Sequence, residues 1–164
     1  MTIIGLGSPF GDDRVGWRVA ETLAAKLPTD QARVIRLDRP GPALLDELAG
    51  RARVILIDAA ATGEPPGTLS CMADAASAPA MDTVSSHGLG LIQTLQLGRA
   101  LDLLPPQLDL FLISIDPART RDPDADLSDP VAAAVAPLAE AICRRVEAST
   151  WRLAYPPEKA AAAE

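Results

Sequence analysis

Arg53-Val54-Ile55-Leu56-Ile57-Asp58 sets four aliphatic residues in a row between charged ends. A strand with one wet face alternates apolar and polar residues. An unbroken aliphatic run is apolar on both faces, as in the central strand of a sheet covered by helices on either side. The rest of the chain agrees with that geometry. Thr2-Ile3-Ile4-Gly5-Leu6 is a second short apolar run and is ended by Gly7-Ser8-Pro9, so it reads as a buried strand meeting a turn. Val15, Val19, Leu23 and Leu27 recur every fourth residue, one face of an amphipathic helix that Pro28 stops. Val34 to Asp38 is a further strand, and Pro42 to Leu48 a short helix with Ala43, Leu44 and Leu48 inward.

After the loop Ala61 to Gly67, Thr68 to Met72 reads as an edge or antiparallel strand. The pattern predicts a helix from Ser85 to Leu101 that buries Leu89, Ile92, Leu95 and Leu97. Asp109 to Ile115 is the last strand, closed by Asp116-Pro117, and Arg119 to Ser128 is a polar, acidic loop. Ser128 and Pro130 mark the start of a final helix whose apolar face is Val131, Val135, Leu138, Ile142 and Val146. Strands alternating with helical segments predict an α/β domain with a largely parallel sheet. The expected fold is a three-layer α/β/α sandwich around a twisted, mostly parallel sheet of about five strands. One domain is expected over residues 1–150, with 151–164 a disordered tail.

Composition narrows the function. Lys and Arg number 15 against 22 Asp and Glu, a net charge of −7 that opposes binding to a phosphate backbone. No apolar run reaches the roughly 18 residues of a membrane span, and no basic segment precedes an apolar one at the N-terminus. Cys71 and Cys143 form no C-x-x-C pair and fit a reducing compartment, so the expectation is a cytoplasmic protein without membrane or nucleic-acid partners. The chain has a single histidine, His87.

In open α/β sheets ligands gather beyond the carboxyl ends of the strands. Gly7-Ser8-Pro9-Phe10-Gly11-Asp12-Asp13 follows the first strand, Asp38 closes the second, Asp58 the most hydrophobic one, and Asp116 follows the last. Asp58 can cap the turn that follows it, and Asp12 or Asp13 can cap the first helix. A cap, however, needs only one carboxylate. Two carboxylates and the imidazole of His87 at one sheet edge would suit nickel, zinc, manganese or iron, with coordination positions left open. Other chemistries fit less well. Gly5, Gly7 and Gly11 give G-x-G-x-x-x-G rather than a dinucleotide fingerprint, and Asp12 and Asp13 would repel the phosphates. Cys71 in a strand and Cys143 in a helix suggest inert thiols, and no G-x-S-x-G elbow supports Ser8, Ser85 or Ser86 as a nucleophile.

Taken together, Ile3-Ile4-Gly5-Leu6-Gly7-Ser8-Pro9 with Asp12-Asp13 and Val15-Gly16, Val54 to Asp58 with the Pro-Pro-Gly-Thr stretch, and Ser86-His87-Gly88-Leu89 resemble the [NiFe]-hydrogenase maturation endopeptidases. Leu104-Pro105, the strand Leu110 to Ile115 and the closing helix follow in the order of that family, so the resemblance spans about residues 2–148. It implies an endopeptidase that removes the C-terminal extension of a hydrogenase large-subunit precursor after nickel insertion. The implied partner is that precursor. The implied metal positions are Asp13, Asp58 and His87, which are also the implied catalytic residues together with Asp12 as a candidate. The metal is expected to be the substrate's own nickel, with zinc or cadmium able to occupy the site in vitro, and the protein is expected to be monomeric. Ser8 stands in place of the family's usual Asn, Arg14 in place of a Gly, and Arg39-Pro40-Gly41 in place of a Gly-rich stretch. Arg14 could serve as an internal counterion to the carboxylates. Two alternatives differ in class. One is a chaperone that holds the nickel-loaded subunit without cutting it. The other is a hydrolase like peptidyl-tRNA hydrolase, whose first turn Gly-Leu-Gly-Ser-Pro resembles but whose early histidine and basic face are missing here.

Overall fold

The computed structural model describes residues 1–73, 75, 90–120 and 125–147. Five strands form one sheet in the order β2-β1-β3-β5-β4: β1 is Thr2–Gly7, β2 Arg33–Asp38, β3 Arg53–Ala60, β4 Leu69–Met72 and β5 Gln107–Ser114. All neighbours are parallel except β4, which pairs antiparallel with β5 at one edge. Successive side chains of a strand face opposite ways, so the unbroken apolar strands feed two cores. Ile3, Ile55, Ile57, Phe111 and Ile113 pack with Val15, Val19, Leu23, Val131, Leu138 and Ile142. These last come from helices α1 (Val15–Lys26) and α4 (Asp129–Glu147). On the other face Ile4, Leu6, Val54, Leu56, Leu108 and Leu110 pack with Leu44, Leu45, Leu48 and Leu95, from α2 (Leu44–Leu48) and α3 (Leu91–Ala100). The three layers are those expected. Among the described residues, no helix is long and apolar enough to cross a membrane.

Three details differ from the sequence expectation. The first concerns α2, which is entered through a tight 3-10 turn at Gly41–Ala43. That turn shifts the helical phase, so Leu45 takes the inward place expected of Ala43, which is exposed. The second concerns α3, which begins at Leu91, after Gly90 in an extended conformation. Its buried positions are Thr94, Leu95 and Gly98, whereas Ile92 is half-buried and Leu97 exposed. A threonine and a glycine carry part of the inward stripe, and counting apolar side chains overlooks both. Ser85 to Leu89 lie outside the described residues, as does the tail 151–164. The third concerns β3, which runs on to Ala60, so Asp58 lies inside the strand, opposite Leu112 of β5, instead of closing it.

That last difference positions the site. The ladder between β1 and β3 ends at the pair Gly5–Ile57, while β3 stays paired with β5 through Ala60. From β1 the chain crosses to β2 on one side, and the later strands build on the other. The β1–β3 boundary is therefore the switch point at which α/β sheets open a crevice. Gly16, in the first turn of α1, closes tightly over it. A Cβ at Gly16 would stand 2.0 Å from the carbonyl oxygen of Leu6 and 2.8 Å from that of Ile57. Backbone atoms on both strands leave no room for a side chain. Gly16→Ala is expected to lower unfolding stability by about 1–3 kcal/mol or more, measured by urea denaturation. An unchanged midpoint would contradict this packing.

Candidate functional site

The turn after β1 carries the chain from the sheet into α1 through a 3-10 turn at Gly11–Arg14. Its closure is a matter of backbone hydrogen bonds: Ser8 N–H donates to the carbonyl of Asp13 (3.4 Å) and Asp13 N–H to that of Phe10 (3.1 Å). The turn buries both acidic residues, leaving Asp12 0% and Asp13 4% exposed. A carboxylate so far from water has to be compensated, and the two differ in how this is done.

Asp12 is tied to the far end of the chain. Its Oδ1 accepts the backbone N–H of Ser128 at 2.6 Å and its Oδ2 the Ser128 hydroxyl at 2.9 Å. The guanidinium of Arg119 stands 3.6 Å from the same Oδ2. Ser128 directly precedes α4, and its own carbonyl accepts from Ala132 N–H. Asp12 therefore caps no helix of its own. It anchors the start of α4 to the first turn, with both carboxylate oxygens engaged. Sequence reasoning missed its partners because they lie 116 residues away. Removing one buried charged acceptor from this junction costs on the order of 1.5–3 kcal/mol per hydrogen bond. Asp12→Ala is accordingly expected to lower the melting temperature by many degrees, while Asp12→Asn, which keeps one acceptor oxygen, loses less; calorimetry of the two variants checks the order.

Asp58 feels the charge of Asp13. Asp58 is half-buried, its Oδ1 accepting Ala59 N–H at 2.9 Å. Loss of water contact, and then the negative charge of Asp13, push its pKa up from 3.8 to about 7, against the downward pull of that N–H. The two carboxylates thus stand within electrostatic reach of each other, one delivered by the turn after β1 and one by β3. Asp38 pairs with Arg39 at 2.7 Å, and Asp116 accepts Ala118 N–H at 2.9 Å, so Asp116 caps the turn that follows it. Arg14 donates to the carbonyl oxygen of Pro9, and Arg119 stands beside Asp12. Neither thiol is activated: desolvation pushes exposed Cys71 and half-buried Cys143 up from their ordinary value. His87 lies outside the described residues, and among those described no group of three His, Cys, Asp or Glu side chains is placed to hold a metal ion.

The profile of the hydrogenase maturation proteases matches residues 17–145, most of the chain. The chain belongs to the hydrogenase maturation protease family. The fold agrees. The hydrogenase maturating endopeptidase HybD from E. coli is 24% identical, with a TM-score of 0.68 over 90% of this chain and 93% of its own. An endopeptidase from Escherichia coli is 25% identical, with a TM-score of 0.71 over 90% of this chain and 94% of its own. The [NiFe] hydrogenase maturation protease HycI from Thermococcus kodakarensis is 20% identical, with a TM-score of 0.67 over 89% and 91% of the two chains. No curated protein matches the sequence. These likenesses support neither the chaperone nor the peptidyl-tRNA hydrolase alternative.

In this protease the raised carboxyl has a thermodynamic signature. Asp58 titrates near 7 in the folded chain and near its ordinary 3.8 in the unfolded one. The folded state therefore holds the extra proton between those values, and stability falls as pH rises through about 7. Metal-free Asp58→Asn is expected to melt a few degrees above the native protein at about pH 8, with the gain gone near pH 4. Equal differences at both pH values would show that Asp58 is not strained by its surroundings.

Proposed function

We propose that this protease makes a single cut that removes the C-terminal extension of a [NiFe]-hydrogenase large-subunit precursor, once nickel has been inserted. The observation that carries the reading is the electrostatic coupling of Asp13 and Asp58 beside the sheet's switch point in a chain of this family. The charge of Asp13 raises the pKa of Asp58, and a divalent cation arriving with the substrate would stabilise both carboxylates in their charged form. Nickel is then part of what is recognised. Asp13 and Asp58 would offer it oxygens and His87 an imidazole nitrogen, a donor set suited to nickel and also to zinc or cadmium in vitro. Docking would place the scissile peptide in the crevice, lowering the entropic cost of reaction. Asp13 or Asp58 would take a proton from the attacking water. The protein would act as a monomer in the cytoplasm, where metal insertion precedes processing.

The test is incubation with nickel-loaded and nickel-free precursor, followed by mass spectrometry of the large subunit. Loss of the extension from the nickel-loaded form alone is expected. Cleavage of nickel-free precursor by zinc-loaded protein would refute metal recognition, and an intact nickel-loaded precursor would refute proteolysis. His87→Ala and Asp58→Asn are each expected to slow processing by about 100-fold or more while circular dichroism stays native.

A further inference from the structure

Arg39 follows β2 with a backbone φ of +39°. That left-handed region disfavours any residue with a Cβ, and strain held at a cleft rim is a pointer to function. Three contacts hold the residue there. Its backbone N–H donates to the carbonyl of Gly7 at 3.1 Å, at the end of β1. Its Nε donates to Asp38 Oδ1 at 2.7 Å. Its guanidinium lies over the ring of Phe10, 5.6 Å from the centroid, in the turn that carries Asp13. The side chain is 44% exposed nonetheless. Its two terminal amino groups have no partner among the described residues. The charge of Asp13 reaches it as well, helping the Asp38 contact to raise its pKa.

A guanidinium fixed through Nε and one face, with both terminal N–H groups free, is a preorganised fork for a carboxylate. Little side-chain entropy remains to be lost when it binds. The need for such a cation is electrostatic. Asp13 and Asp58 interact electrostatically near the carboxyl edge of β1 and β3, the chain carries −7, and an acidic group approaching them is repelled unless a fixed positive charge receives it.

We propose that Arg39 is a substrate-binding residue that receives a carboxylate of the precursor at the rim of the crevice and so sets the peptide over Asp13 and Asp58. This rests on the processing reaction proposed above. The carboxylate is either an acidic side chain of the extension or the chain's terminal group.

The experiment compares native protein with Arg39→Gly, Arg39→Asn and Arg39→Lys on the nickel-loaded precursor. Glycine relieves the backbone strain and asparagine tolerates it, so neither variant depends on a difficult refolding. Arg39→Gly is expected to melt at or above the native temperature. In both neutral variants KM should rise about 10- to 100-fold with kcat changed less than about twofold, the loss of a charge-assisted hydrogen bond in binding alone. Arg39→Lys should recover part of the affinity, most of all at low salt. A precursor whose extension has its acidic side chains converted to amides and one with an amidated terminus separate the two carboxylate sources. Whichever removes the partner should raise KM for the native protein and leave KM of Arg39→Gly unchanged. Unchanged KM in both neutral variants, or equal penalties from both modified precursors in native protein and variant alike, would overturn the assignment while leaving the processing reaction standing. Failure of the native protein to cut the precursor at all would overturn both.

Discussion

Hydrogen bonding between β1 and β3 stops at Gly5–Ile57, and the arrangement of the acidic residues around the first turn depends on that parting. Were the ladder to continue, the carbonyls beyond it would be occupied and no crevice would open between the two strands. β3 can run on past the gap because β5 holds its other side through Ala60. β1 is held in turn by β2 through Gly7–Asp38. The two strands are thus each supported from outside while they separate, and Gly16 seats the first turn of α1 on the backbone of both. The crevice is rigid because its walls are strands within a sheet rather than loops.

Within that frame the acidic pair Asp12-Asp13 divides its work. Asp12 turns inward and joins the first turn to the start of α4, so that the element closing one face of the core is locked to the turn that carries the site. Asp13, beside it in the same 3-10 turn, is buried as well, and its charge acts on Asp58. The cost of the arrangement is visible in Asp58, which is desolvated and faces a like charge. Strain of that kind collects at sites built to receive something. Arg39, in its left-handed backbone at the adjoining rim, belongs to the same pattern.

Much of this was legible in the chain. The aliphatic run Val54 to Ile57 implied a strand covered on both faces, and it packs into two cores. The motif order implied the family, and the profile match agrees. The phase of α2 was not legible, because a 3-10 entry turns the helix by an amount that apolar spacing does not record. Nor was the inward stripe of α3, where Thr94 and Gly98 are buried for their small size rather than their hydrophobicity. Asp58 was expected at a strand end and lies within the strand, since pairing with β5 extends β3 beyond its hydrophobic portion.

What the sequence determined by itself was periodicity and motif: which segments are strands, which helices, and which carboxylates stand near the carboxyl edge. Those follow from local chemistry, because side-chain burial repeats with the backbone's own period. The tertiary structure alone decided the partners of the acidic residues. Asp12 became an anchor through Ser128, 116 residues distant. Asp13 and Asp58 became neighbours because strands far apart in the chain flank one switch point. A carboxylate's function depends on what lies within a few ångströms of it, and in a folded chain those atoms come mostly from elsewhere in the sequence.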